Sequence, residues 1–112
     1  MAQEVLNHYG QVCLDASFNC QNLLKEFGKK TTSLSARKAK LLNECAHVCM
    51  GTFHAIKNQS VNAGLLAILC MGICDECADF CESFNNPLFK QCAHACRYCS
   101  NNMSDLAFTG LS

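Results

Sequence analysis

Residues 70–81 read CMGICDECADFC, with cysteines at 70, 74, 77 and 81 and acidic residues between them. At about 100° per residue the four thiols fall at roughly 0°, 40°, −20° and 20° around a helix axis. They share an arc of about 60°, the a/d-type seam that turns toward a bundle core. Asp75, Glu76, Asp79 and Glu82 project away from it. The stretch therefore predicts an amphipathic helix whose core face is made of thiol.

The spacing recurs further along the chain. In CAHACRYCSNNM, Cys92, Cys96, Cys99 and Met103 occupy the same i, i+4, i+7, i+11 positions. Met103 stands where a fourth cysteine would be, and its thioether is another soft ligand. CAHVC supplies Cys45 and Cys49, and that stripe continues as Thr52 and Ile56. Cys13 and Cys20 lie seven apart on one face of the first block, with Leu6 and Leu24 continuing the stripe.

Helix punctuation divides the chain into four blocks of similar length. The first runs from about Gln3 to Phe27 and stops at Gly28, placed as a C′ residue. After the polar turn GKKTTS, Ser33 is the expected N-cap of a second block, about Leu34 to Asn58. Ser60 is the expected cap of a third block reaching about Phe84. Asn86 and Pro87 open the fourth, which runs to about Phe108, and Gly110 marks the tail. Four helices joined by short loops predict an all-α fold. The simplest form is a single domain over residues 1–112, an antiparallel up-down-up-down four-helix bundle with a cysteine-lined core. Side by side, the blocks place every cysteine within about 15–20 Å of bundle length at 1.5 Å per residue.

Composition narrows the function. The chain has 112 residues, a formal net charge of zero, one proline, no tryptophan and 11 cysteines. Zero net charge gives no electrostatic footprint for nucleic acid, and no apolar run reaches the roughly 20 residues that span a bilayer. The opening MAQEVLNHYGQVCLDASFNCQNLL lacks the charged and apolar regions of a secretory signal. The expectation is a cytoplasmic protein whose thiols are reduced or metal-bound. Cysteine also serves as a small buried hydrophobe. Eleven on the inward faces of four helices exceed that use, because a core built for packing alone takes Leu, Ile and Ala.

Several chemistries compete for such an array. Thiols stacked on one helix have nearly parallel Cβ vectors, which disfavours disulfides along it, and the cytosol reduces those between helices. Ferredoxin-type clusters use C-x2-C-x2-C-x3-C-P on loops; here the spacing is C-x3-C-x2-C-x3-C at helical period. The CxxC pairs Cys74/Cys77 and Cys96/Cys99 lack the βαβ context of a thioredoxin-like redox site. Zinc takes about four ligands in a tetrahedron, and this array could supply them. Cu(I) fits best, being soft, content with two or three thiolates and able to share them with neighbouring ions. No catalytic triad, carboxylate pair or phosphate loop points to an enzyme.

The histidines belong elsewhere. His47 and His94 each sit two residues after a cysteine, His54 is about 180° from Cys45, and His8 is about 140° from Cys13, so all four are expected to face outward. Met50 and Met71 are off the seam. Lys29, Lys30, Arg37, Lys38 and Lys40 form a solvated basic run around the first turn. Leu65 and Ile68 point away from the thiol seam, as a contact between copies of the chain would require.

CAHVC, CMGICDECADFC and CAHACRYC, set in this four-block layout, resemble the bacterial copper storage proteins. The resemblance covers most of the chain and is nearer to the cytosolic branch. It implies a homo-oligomer, a tetramer of bundles, each storing multiple Cu(I) ions for buffering or detoxification. A copper chaperone or efflux protein would be donor or acceptor. Carried over by position, the metal ligands are Cys13, Cys20, Cys45, Cys49, Cys70, Cys74, Cys77, Cys81, Cys92, Cys96 and Cys99, with Met103. The chain departs from the richest members in having fewer cysteines and a methionine at 103. The alternatives are a zinc- or iron–sulfur-binding bundle and a thiol redox protein.

Overall fold

A computed structural model describes residues 3–27 and 35–109. They form four helices: α1 (Gln3–Phe27), α2 (Ala36–Lys57), α3 (Ala63–Glu82) and α4 (Pro87–Thr109). Each helix buries a stripe at the spacing read from the sequence. On α1 this is Leu6, Gly10, Cys13, Ser17, Cys20 and Leu23, with Leu23 in the core in place of the expected Leu24, which is half-buried at the edge of the stripe; on α2 it is Leu42, Cys45, Cys49, Thr52 and Ile56.

Local chemistry sets the helix ends. Ser35 caps α2, its hydroxyl accepting the backbone N–H of Lys38 at 3.3 Å; the expected cap Ser33 lies outside the described residues, as do Gly28 and Gly110. At the other end of α2, Gln59 adopts φ 52°. The Gln59 N–H reaches the Ile56 carbonyl at 3.1 Å, and the Ser60 N–H reaches that of Ala55 at 2.9 Å. This is a Schellman closure, with glutamine in the left-handed position that glycine usually fills. Ser60 was the expected cap of α3, yet the helix begins two residues later. The Ser60 hydroxyl instead accepts the Asn62 N–H at 3.1 Å within the turn, and Asn62 takes the cap position. Helix α3 also stops at Glu82, short of Phe84, which leaves the helix to stack on Phe89 at 4.3 Å between ring centroids. Asn86 and Pro87 act as read: the Asn86 side-chain oxygen accepts the Leu88 N–H at 2.9 Å.

The helices close in a ring, α1 packing on α2 and α4, and α3 on α2 and α4. Neighbours run antiparallel, since Cys49 meets Cys70 while Cys45 meets Cys74, and Cys13 meets Met103 while Cys20 meets Cys92. The bundle measures 46 × 19 × 19 Å. Apolar residues close both ends of its core. Leu6, Ile56 and Leu106 fill one end; Leu23, Leu42 and the rings of Phe27, Phe80, Phe84 and Phe89 fill the other. Lys38 lays its ammonium 5.2 Å from the Phe80 centroid, and Arg97 on α4 ties Asp75, Asp79 and Glu82 of α3 to itself at 2.8–3.2 Å.

Candidate metal centre

All eleven cysteines are free, and each is 0% exposed. The four helices supply them unequally, two from α1, two from α2, four from α3 and three from α4. Helical period turns them inward, and the antiparallel ring brings them into register.

The sulfurs form one continuous column. At one end the Met103 Sδ lies 3.5 Å from the Cys13 Sγ, which is 3.8 Å from that of Cys99. Cys99 joins Cys49, Cys70 and Cys74 in a set whose sulfurs all fall within 4.8 Å of one another. Within it, Cys49 and Cys74 are 3.4 Å apart, and Cys70 and Cys99 are 3.8 Å apart. Cys45, Cys74 and Cys96 make a second set, and Cys20, Cys77, Cys92 and Cys96 a third. Cys74 and Cys96 each belong to two sets, so one sulfur on α3 and one on α4 link the column from end to end. Cys81 stands beyond the third set, beside Cys77.

Burial raises every thiol in the metal-free column, and the S–H groups then divide the sulfurs into donors and acceptors. Cys20 draws down Cys45, Cys77 and Cys96, while Cys13 draws down Cys70 and Cys99. The donors are held well above the usual thiol range: Cys13 by its bond to Cys70, and Cys20, Cys49 and Cys74 each first by the bond to Cys45.

Nothing among the described residues brings a compensating charge into the core. Its buried polar residues are Ser17, Thr52 and Ser100. The Ser17 hydroxyl donates to the Ala46 carbonyl at 2.8 Å and that of Thr52 to the Val48 carbonyl at 2.7 Å, so both are spent on backbone. Ser17 stands four residues after Cys13, on the same seam. Ser17 is absent from the residues singled out by sequence; the i, i+4 spacing from Cys13 is the signal that would place it inward, while its role in joining α1 to α2 depends on the partner helix.

The outward assignments hold as well. His8, His47, His54 and His94 are exposed. The Nδ1 of His47 lies 2.8 Å from the carbonyl of Asn43 on its own helix, and His94 stacks on Tyr98. Met50 and Met71 are half-buried off the seam.

A family model described as copper storage protein matches residues 2–107. Among solved structures, the Cu(I)-bound copper storage protein BsCsp3 superposes with a TM-score of 0.85 and 21% sequence identity. The match covers 92% of this chain and 98% of that one, a likeness of fold. No curated protein matches the sequence.

Proposed function

Because this chain belongs to the copper storage protein family, we propose that it is a non-enzymatic store for several Cu(I) ions, held by the column of buried thiolates. The ligands are the eleven cysteines, with the Met103 thioether completing the Cys13 end. The observation that carries this reading is the run of buried sulfurs, in contact at 3.4–4.0 Å within each half of the column and joined by the Cys45/Cys74/Cys96 set, whose sulfurs lie within 4.8 Å of one another and in which Cys74 and Cys96 are shared with the sets on either side. Shared thiolates let neighbouring ions be bridged, which a single closed site does not need.

Spacing alone also suits zinc. Four thiolates about 2.3 Å from a zinc ion stand about 3.8 Å apart, close to the separations in the sets Cys20/Cys77/Cys92/Cys96 and Cys49/Cys70/Cys74/Cys99. Charge separates the two readings. A divalent ion with four thiolates leaves two negative charges in an apolar core to which the described residues bring no cation and few free donors, a costly state. One monovalent ion per thiolate leaves none. A redox role is disfavoured by burial, since the Cys74/Cys77 and Cys96/Cys99 pairs lie at mid-helix with no exposed sulfur.

Family membership further supports a cytoplasmic homotetramer that receives copper from a chaperone and yields it to an acceptor or efflux protein. No described helix is long and apolar enough to cross a membrane. Anaerobic titration of the reduced protein with Cu(I) against a chromophoric chelator, with thiols counted in the same sample, tests the storage reading. Tight uptake of several ions with thiols protected in proportion is the expected result. Uptake of one ion or none, with zinc or iron preferred, refutes it.

A further inference from the structure

The stretch CAHVCM, residues 45–50, sends soft ligands to both sides of α2. Cys45 and Cys49 enter the column, at roughly 0° and 40° around the helix axis. Asn43, His47, Met50 and His54 fall at about 160°, 200°, 140° and 180°. They repeat the i, i+4, i+7, i+11 interval of the thiol seams on the opposite face, and the column uses none of them. His47 and Met50 come together in a groove of about 340 Å³ between α1 and α2, lined also by Gln21, Asn43 and Ala46. The His47 ring is exposed and the Met50 side chain half-buried. The imidazole is also oriented. Its Nδ1 lies 2.8 Å from the Asn43 carbonyl, and a carbonyl only accepts, so the proton of the neutral ring sits on Nδ1 and the lone pair on Nε2. A backbone carbonyl that holds one ring nitrogen and leaves the other as ligand is the arrangement of metal-bound histidines.

We propose that His47 Nε2 and Met50 Sδ form a second Cu(I) site, on the outer face of α2 and separate from the column. The donor set selects the ion. A thioether is a soft ligand that favours Cu(I), and imidazole accepts copper as well. No charged residue lines the groove, so nothing there draws a divalent ion in preference. The two neutral ligands leave the single positive charge of Cu(I) facing water, where it carries no burial penalty. Every column sulfur is 0% exposed, so an ion in the column is enclosed by the bundle. An ion at His47 and Met50 can be reached by another ligand without any helix moving. The site therefore holds exchangeable copper beside the enclosed store, and it stands whether or not the column stores copper.

Helix α4 supplies a contrast within the same chain. CAHACR, residues 92–97, repeats the pattern with Arg97 where α2 has Met50. Arg97 is held by Asp75, Asp79 and Glu82, and His94 stacks on Tyr98. That copy has the imidazole without the thioether. His54 lies one turn beyond Met50 but does not line the groove. Both histidines serve as internal controls.

NMR of the reduced protein under anaerobic Cu(I) titration tests the site, because Cu(I) is closed-shell and leaves the spectra sharp. Cu(I) is added as its acetonitrile complex until thiol protection reaches a plateau, and then further in steps. The ring nitrogens of the four histidines and the methyl groups of the four methionines are followed. The expected result is that the His47 Nε2 and Met50 methyl resonances shift together and saturate with one ion, while those of His54 and His94 stay in place. Met50→Leu is expected to abolish the His47 shift, and His47→Gln the Met50 shift, with the same number of thiols protected in both. Circular dichroism checks that helix content is kept. Unmoved His47 and Met50 resonances overturn the site, as does a shift shared equally by all the histidines. A His47 shift that survives Met50→Leu overturns the pairing. Zn(II) in place of Cu(I) is expected to leave the Met50 methyl unmoved, and a matching shift would overturn the selection for Cu(I). If the thiols stay unprotected while His47 and Met50 respond, the storage reading fails and this site stands.

Discussion

Replacing Cys74 by alanine should cost more copper than replacing Cys81, at equal cost in stability. The Cys74 sulfur lies 3.4 Å from that of Cys49 and 3.9 Å from those of Cys45 and Cys70. It also belongs to two of the three sulfur sets. Cys81 belongs to none of them and neighbours Cys77 at the end of the column. Both side chains are 0% exposed, and each substitution deletes one methylene-sized group, so each should destabilise the metal-free fold by about 1 kcal/mol. Loss of Cys74 removes a bridging ligand from two adjacent sets and should lower the copper count by two or more ions per chain. Loss of Cys81 should lower it by one at most. Native mass spectrometry after anaerobic loading counts the ions, and denaturant unfolding of the metal-free proteins checks the stability match. Equal copper losses from the two variants would refute the column as a set of shared thiolates.

Copper affinity should rise with pH. The donors Cys13, Cys20, Cys49 and Cys74 have raised pKa values and hold their protons near neutrality. Binding must expel those protons, so affinity should fall as pH drops, about tenfold per unit for each proton expelled; chelator competition across pH 5–8 measures the slope. Thr52→Cys places a twelfth thiol on the α2 seam, three residues from Cys49 at a fully buried position. It should raise the copper count by one ion, at about 1 kcal/mol for the lost hydroxyl bond, as ion counting and unfolding would show. Gln59→Gly relieves a left-handed residue at φ 52° and should stabilise the fold by about 1 kcal/mol, with no change in copper uptake.

Much of this protein was determined by local periodicity. Once α3 is a helix, the angle per residue sends Cys70, Cys74, Cys77 and Cys81 to one face and the histidines of α1, α2 and α4 to the other, whatever the neighbours do. Asn86 before Pro87 likewise determined where α4 begins, because the cap and the ring's missing N–H act within one turn. The choice between Ser33 and Ser35, or between Ser60 and Asn62, was not legible, since several polar residues in each turn can cap and packing selects among them.

Tertiary structure alone decided which sulfurs meet. That Cys20 joins Cys77, Cys92 and Cys96, or that Cys74 and Cys96 bridge successive sets, depends on how far each helix slides along its neighbours. Helix period sets a residue's direction around its own axis and carries nothing about that sliding. The turns set it together with contacts between residues far apart in the chain, such as the Ser17 hydroxyl on the Ala46 carbonyl and the Phe84 ring on Phe89. The chemistry of the core was thus written residue by residue, while the connectivity of the column arose from packing.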